Sequence, residues 1–259
     1  MAADLFARIV CGVDGSEAGL DAVRQARQLA ASGSQLVLVA VSEADLAVHA
    51  GMFAGAAGDQ LDEEAQTALD QAAPHAGDAR TRLMRGRPEQ TLIHVAEEEE
   101  ATLLAVGSHE SSRRRGMLLG SVATRMVHDA PCSVLVARVA ADAGVFPRRI
   151  VVGVDGSDAA LEAARAAGEL AERVGAEITW LAAIGASDEI DPGELDRSGL
   201  ELRRAEEHAV PALVAASQEA DLLVVASRGV RGIRALGSVS ERVAHQAHCS
   251  LLLYRPPTQ

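Results

Sequence analysis

The chain alternates short, nearly unbroken apolar runs with segments whose apolar residues recur three and four positions apart. In the first half the runs include LVLVAV from Leu36 and TLLAVG from Thr102. Apolar runs without alternation fit strands buried on both faces of a parallel sheet. They predict strands at about 7–13, 34–41, 79–85, 102–107 and 132–138. The Ala-rich segments between them predict helices at about 16–32, 59–73, 88–99 and 120–129. Ser16 suits an N-cap and Pro88 a first helical turn. Glu97 to Glu100 reads as a solvated helix face, and residues 44–58, rich in Ala and Gly, read as a mobile loop.

The pattern then repeats. Residues 8–16 read RIVCGVDGS and residues 149–157 read RIVVGVDGS. The match continues through Leu20 and Leu161, Ala22 and Ala163, Arg24 and Arg165. The halves also end alike, in APCSVLVAR from Ala130 and AHCSLLLYR from Ala247, preceded by LLGSVATRMVHDA and ALGSVSERVAHQA. Each unit is domain-sized, so the chain reads as a duplicated domain rather than a solenoid. The units are placed at 1–140 and 147–259, joined by a short segment around VAADAGVFP, which Gly144 and Pro147 punctuate. A tether this short predicts that the two units pack against each other.

The second unit shows strands near 149–154, 177–183, 221–227 and 249–254, with a further one near 199–204. Its second helix is expected to be missing, replaced by the acidic stretch SDEIDPGELDRS. The fold class is therefore α/β: two doubly wound five-stranded parallel sheets with right-handed crossovers, the second lacking one helix. In such sheets ligands bind beyond the carboxyl ends of the strands, where strand order reverses.

Composition narrows the function. The 259 residues are 48% hydrophobic and 2% aromatic, so the core must be aliphatic. A formal charge of -13 repels a phosphate backbone, which argues against nucleic-acid binding. No apolar run approaches the roughly 20 residues that cross a bilayer. MAADLFARIV lacks the basic and apolar regions of a signal peptide, so a cytoplasmic protein is expected. Cys11, Cys132 and Cys249 form no CxxC pair and read as buried, reduced thiols.

Candidate chemistry sits where the predicted strands end. Asp14 follows strand one and either accepts hydrogen bonds from a ribose or adenine edge or organises the turn into the next helix. After strand four, Gly107 opens a loop, SHESSRRRGMLL, that leads to Gly120 and Ser121. Ser121 begins a helix whose free N–H groups attract anions, and it either donates to a phosphate or caps that helix. Other motifs fail. GxGxxG and GxxxxGK[ST] are absent, which removes dinucleotide and P-loop readings. Gly12 and Gly153 occupy the position where a DxDGT-type phosphatase keeps its nucleophilic Asp. GxSxG and HExxH are missing too. His109 lies on the candidate loop, while His94, His128 and His245 read as structural or surface residues. No catalytic or metal-ligating set emerges, so the chain is not expected to be an enzyme. An adenylating transferase would need SGGxDS or HxGH, and neither string occurs.

Taken together, the opening VDGS, the helix after it and the closing GSVA…HxxxCSVLVAR pattern resemble the universal stress protein family in both halves, over nearly the whole chain. The resemblance implies an adenine nucleotide alpha hydrolase-like fold with strand order 3-2-1-4-5. It implies a stress-response regulator; many such proteins bind ATP, some bind other adenine nucleotides and others none, and they commonly dimerise, so a tandem chain is expected to form that dimer internally as a pseudo-dimer, with a further homodimer and protein partners as expectations. The family's ATP site implies Asp14, Val41 through its backbone, Gly107, Gly120, Ser121 and Val122 as nucleotide contacts, with ATP as ligand and magnesium as its candidate counter-ion. This chain departs from the pattern at Glu110, where the family has Gly. A carboxylate at about 4 Å repels a phosphate charge by about 4 kcal/mol before screening. Arg113, Arg114 and Arg115 lie close enough in sequence to offset it. The second copy departs further. Ala226 replaces the first Gly, and Gly229 and Gly237 are only seven residues apart, ahead of Ser238. It is expected to be empty although Asp155 remains. The alternative is a nucleotide-independent member acting through protein–protein contacts, and Glu110→Gly separates the two by its effect on ATP affinity.

Overall fold

The computed structural model describes residues 5–45, 56–108, 119–138, 144–184, 199–227 and 238–256. The first half comprises β1 (Arg8–Gly12), α1 (Glu17–Leu29), β2 (Gln35–Ser42), α2 (Ala56–Ala76), β3 (Arg80–Arg85), α3 (Pro88–Glu98), β4 (Leu103–Gly107), α4 (Ser121–Asp129) and β5 (Ser133–Ala137). The second comprises β6 (Arg149–Gly153), α5 (Asp158–Val174), β7 (Glu177–Ala183), β8 (Leu202–Ala205), α6 (Ala209–Ala216), β9 (Leu222–Ala226), α7 (Ser238–Gln246) and β10 (Ser250–Tyr254). The strands form one ten-stranded sheet in the order β3-β2-β1-β4-β5-β10-β9-β6-β7-β8. Each half supplies a parallel 3-2-1-4-5 set, as the resemblance implies. The halves join through a single antiparallel pair, β5 with β10.

Strand alternation divides the core into two layers. Ile9, Cys11, Leu38, Leu103 and Ala105 pack with α1, α2 and α5 on one face. Val10, Val39, Leu104 and Val106 pack with α3, α4, α6 and α7 on the other. Helices on both faces are why the strands read as continuous apolar runs.

Some boundaries differ from the sequence reading. The first helix was expected to reach residue 32 but stops at Leu29, because Ala30 is extended and Gly33 turns with a positive φ of 81°. Helix α2 exceeds the expected 59–73 at both ends. Residues 44–45 and 56–58, expected in a mobile loop, are helical, and 46–55 lie outside the described residues. The further strand expected near 199–204 lies at Leu202–Ala205. No helix stands between β7 and β8 among the described residues, and 185–198 lie outside them.

The repeated Cys-Ser and terminal Arg of the two closing motifs lock the seam between the halves. The Ser133 hydroxyl donates to Arg255 O and accepts from Arg255 N–H, at 3.2 and 3.0 Å. Ser250 does the same with Arg138, accepting its N–H at 3.0 Å. Each arginine then crosses the seam to the last helix of the other half. Arg255 donates to Val127 O at 2.6 Å and Cys132 O at 3.0 Å, and Arg138 donates to Ala244 O at 2.9 Å. Arg173 of α5 likewise donates to Leu29 O at 2.6 Å, at the end of α1. Except for that of Cys132, which precedes β5, these are carbonyls that a helix C-terminus leaves unpaired. All 24 basic residues of the chain are Arg, whose fork reaches two acceptors at once.

Candidate functional site

The strand order reverses at β1, whose two neighbours are β2 and β4. Beyond the carboxyl ends of these strands lies a cavity of about 440 Å³. All six sequence-predicted residues line it: Asp14, Val41, Gly107, Gly120, Ser121 and Val122. Glu110 and Arg113 to Arg115 lie outside the described residues, as does His109.

Asp14 is exposed at the end of β1. Its Oδ1 accepts from the Ser16 N–H at 3.0 Å and the Ser16 hydroxyl at 2.6 Å. Ser16 Oγ in turn caps α1 by accepting from Gly19 N–H at 3.0 Å. One carboxylate oxygen thus builds the turn, while Oδ2 has no hydrogen-bond partner among the described residues. Both readings of Asp14 are compatible within one side chain.

Val41 contributes backbone. Val39 O accepts from Val13 N–H at 2.9 Å, the last bond between these strands. Peptide groups two residues apart point the same way in a strand. Those of Val41 therefore project past the end of β1 toward the cavity.

Gly107 has a packing reason to be glycine. A Cβ there would lie 2.7 Å from Ala18 C and Gly19 N, both backbone atoms that cannot rotate away. At Gly19 a Cβ would meet a side-chain atom instead, Asp14 Oδ1 at 2.5 Å. The two glycines let the end of β4 and the first turn of α1 meet beneath the cavity.

Gly120 N–H donates to Ser108 O at 2.9 Å and starts α4 with φ -64° and ψ 167°. No side chain caps this helix among the described residues. Ser121 is exposed and makes no hydrogen bond through its hydroxyl among the described residues, so it does not serve as the cap. The first N–H groups of α4 therefore open on the cavity wall formed by Ser121, Val122 and Ala123. They present a partial positive charge there.

Sequence reasoning missed the opposite wall. Glu43, just past β2, and Glu64, on α2, line the cavity together with Asp14. No Lys, Arg or His does so among the described residues. Nothing in the sequence marks Glu64, because its helix carries many carboxylates and only packing selects which one faces inward. Asp62, two residues earlier, is tied to Arg85 and Ser42, which anchors α2 over β2. The cavity is thus polarised, with carboxylates toward β1, β2 and α2 and an uncapped helix N-terminus toward β4.

The second half repeats the turn closely. Asp155 Oδ1 accepts from Ser157 N–H and Oγ at 3.0 and 2.6 Å. However, Ala226 and Ala160 stand where the first half has Gly107 and Gly19. The residues between Ser227 and Ser238 lie outside the described set.

The other candidates have structural partners. His94 pairs with Glu98 at 3.2 Å, and His128 faces Glu241 across the seam at 3.6 Å. His245 Nδ1 accepts from Leu119 N–H at 3.4 Å. All three cysteines are buried and unpaired. Burial pushes the thiols of Cys132 and Cys249 up to about 12, and that of Cys11 higher. Among the described residues no helix is long and apolar enough to cross a membrane, and no cluster of three or more His, Cys, Asp or Glu could hold a metal.

Comparison with known proteins agrees with this architecture. The profile of the universal stress protein family matches residues 5–138, 147–210 and 197–255. A universal stress protein of Mycobacterium tuberculosis H37Rv is 30% identical over 95% of this chain and 96% of its own length. One from Methanocaldococcus jannaschii is 29% identical over 52% of this chain and 84% of its own. The solved structure of a universal stress protein from Archaeoglobus fulgidus superposes with a TM-score of 0.72 at 19% identity, covering 96% of both chains. A universal stress protein solved in complex with cAMP aligns with 52% of this chain and 99% of its own, at 29% identity and a TM-score of 0.37. With the family profile matched across both halves, this chain belongs to the universal stress protein family.

Proposed function

We propose that the chain is an adenine-nucleotide-binding regulator of the stress response, with ATP held in the first half alone. The observation that carries this reading is the polarised cavity. The uncapped N-terminus of α4 suits phosphate oxygens. The free oxygen of Asp14 suits ribose hydroxyls, and the peptide group of Val41 suits the edge of a base. The same polarity sets the orientation, because Glu43 and Glu64 would repel phosphates placed on their side.

The second half is read as a structural partner. Asp155 makes the same turn as Asp14, so the turn alone does not mark a site. What differs is Ala226, whose Cβ stands where the first half must be bare for strand and helix backbone to meet, with Ala160 in place of the first half's other glycine. The protein is further proposed to be cytoplasmic, to bind and report rather than turn over nucleotide, and to pass its signal to protein partners.

The test is calorimetric titration with ATP, with and without magnesium, beside Asp14→Ala. Saturable binding near one site per chain, weakened in the variant, supports the reading. Absence of binding at millimolar ATP refutes it and favours the protein-interaction alternative, with Glu110 as its cause.

A further inference from the structure

The second half reaches the start of α4 through one face of α7. Glu241, Ala244 and His245 lie three and four positions apart, which places them on the same side of that helix. Each meets the first half. Glu241 Oε1 faces His128 Nε2 at 3.6 Å, in the last turn of α4. Ala244 O accepts from Arg138 Nη2 at 2.9 Å. His245 Nδ1 accepts from Leu119 N–H at 3.4 Å, just ahead of α4. The second half therefore touches α4 near its end and immediately before its start.

The contact at Leu119 sits where the nucleotide reading places the phosphates. Gly120 N–H donates to Ser108 O at 2.9 Å, and Gly120 O accepts from Thr124 N–H at 2.9 Å as the helix begins. Leu119 and Gly120 thus give successive N–H groups to two anchors, His245 in the second half and the extension of β4 in the first. The next N–H groups, on Ser121, Val122 and Ala123, are those that open on the cavity. The backbone has two soft dihedrals per residue, so anchoring the two residues ahead of Ser121 fixes where those groups aim. Donors that are already ordered hold a ligand more tightly, because binding does not have to order them. Neither Leu119 nor His245 lines the cavity, so His245 acts through the backbone and not on the ligand itself.

We propose that His245 is a positioning residue for the phosphate end of the first-half cavity, so that the second half completes a site it does not itself contain. This rests on the nucleotide reading given above. A backbone N–H only donates, so the ring serves as an acceptor, and an amide oxygen at the same place can replace it. The test titrates ATP by calorimetry, and adenosine by ligand-observed NMR, into the full chain and three variants, with thermal unfolding to show that each is folded. His245→Leu should weaken ATP about fivefold and leave adenosine unchanged, since adenosine carries no phosphate. His245→Asn, whose amide oxygen can accept from Leu119, should bring ATP back to within about twofold of wild type. Glu241→Gln removes a charge from the same face of α7 at the far end of α4, and should leave ATP affinity unchanged. Unchanged ATP affinity in His245→Leu, an equal loss for adenosine, no recovery in His245→Asn, or an equal loss in Glu241→Gln would each overturn the proposal while leaving the nucleotide reading intact. A wild-type chain that fails to bind ATP would overturn the nucleotide reading, and this inference with it.

Discussion

Helix α4 begins at a glycine with no side-chain cap, and Gly120→Asp turns that feature into a two-sided prediction. The dihedrals at Gly120 are ordinary for an N-cap of any residue type. The introduced carboxylate would accept from the second and third N–H groups of the helix, on Val122 and Ala123, which line the cavity. Replacing a glycine cap contributes a few tenths of a kcal/mol. The favourable dipole adds about 0.3–1 kcal/mol, and removing glycine's freedom in the unfolded chain about 0.4–1 kcal/mol. Together these give about 1 kcal/mol or a little more, hence a rise of roughly 3 °C in Tm for a chain of this size. Affinity should move the other way. A carboxylate at about 4 Å from a phosphate is opposed by about 4 kcal/mol at an effective dielectric of ~20, and screening leaves about 2.5 kcal/mol. Loss of the N–H donors adds to this, so ATP should bind about a hundredfold more weakly. Thermal unfolding and calorimetry on the same preparation read both quantities. A raised Tm with unchanged affinity would remove α4 as the phosphate seat, and a lowered Tm would refute the capping argument.

Four further outcomes follow from the packing. Arg255→Met should destabilise by about 2–4 kcal/mol in urea unfolding, because two buried carbonyls lose a charged donor. Arg138→Met should cost roughly half as much, since only one such bond is lost, and equal costs would refute the seam asymmetry. Gly107→Ala should cost about 1–3 kcal/mol because its Cβ would strike backbone 2.7 Å away, whereas Ala226→Gly should cost about 0.5–1 kcal/mol for chain entropy alone. The Arg85 hydrogen bond, with help from Ser42, holds the Asp62 carboxyl below its usual range. Its contribution is therefore present above about pH 4 and lost as pH falls through the lower folded value, so Asp62→Asn should flatten the acid side of a stability–pH curve. All three thiols should resist an aromatic disulfide reagent in the native state and react fully in denaturant, and a fast native thiol would contradict their burial.

Much of the fold was legible because the apolar runs carry the parallel-sheet signature on their own. LVLVAV and TLLAVG fit strands with helices over both faces, and the repeated VDGS marks where each half starts. What stayed illegible depends on contacts distant in sequence. The merging of two sheets into one rests on β5 and β10, whose Ser and Arg residues read as family markers until their partners appeared 106 to 128 residues away. Helix α1 ends early where Ala30 turns extended and Gly33 takes a positive φ, and an arginine of the other half then takes the Leu29 carbonyl. At the cavity, Asp14 and Gly120 were readable from their positions after strands. Glu64 was not, because a helix with many exposed carboxylates gives no sign of which one faces inward.

The duplication is the strongest argument available about function, because it holds composition, fold and solvent constant while individual residues vary. Asp14 and Asp155 make the same turn, so a carboxylate after the first strand is part of the fold in both copies and its persistence says nothing about ligand. The glycines that let strand four meet the first helix survive in one copy only. Ala226 places a methyl where in the first copy a Cβ would strike helix backbone at 2.7 Å, so the second copy cannot bring its fourth strand and first helix together in the same way. That difference, and not the shared carboxylate, is the reason the proposed nucleotide is assigned to the first half alone.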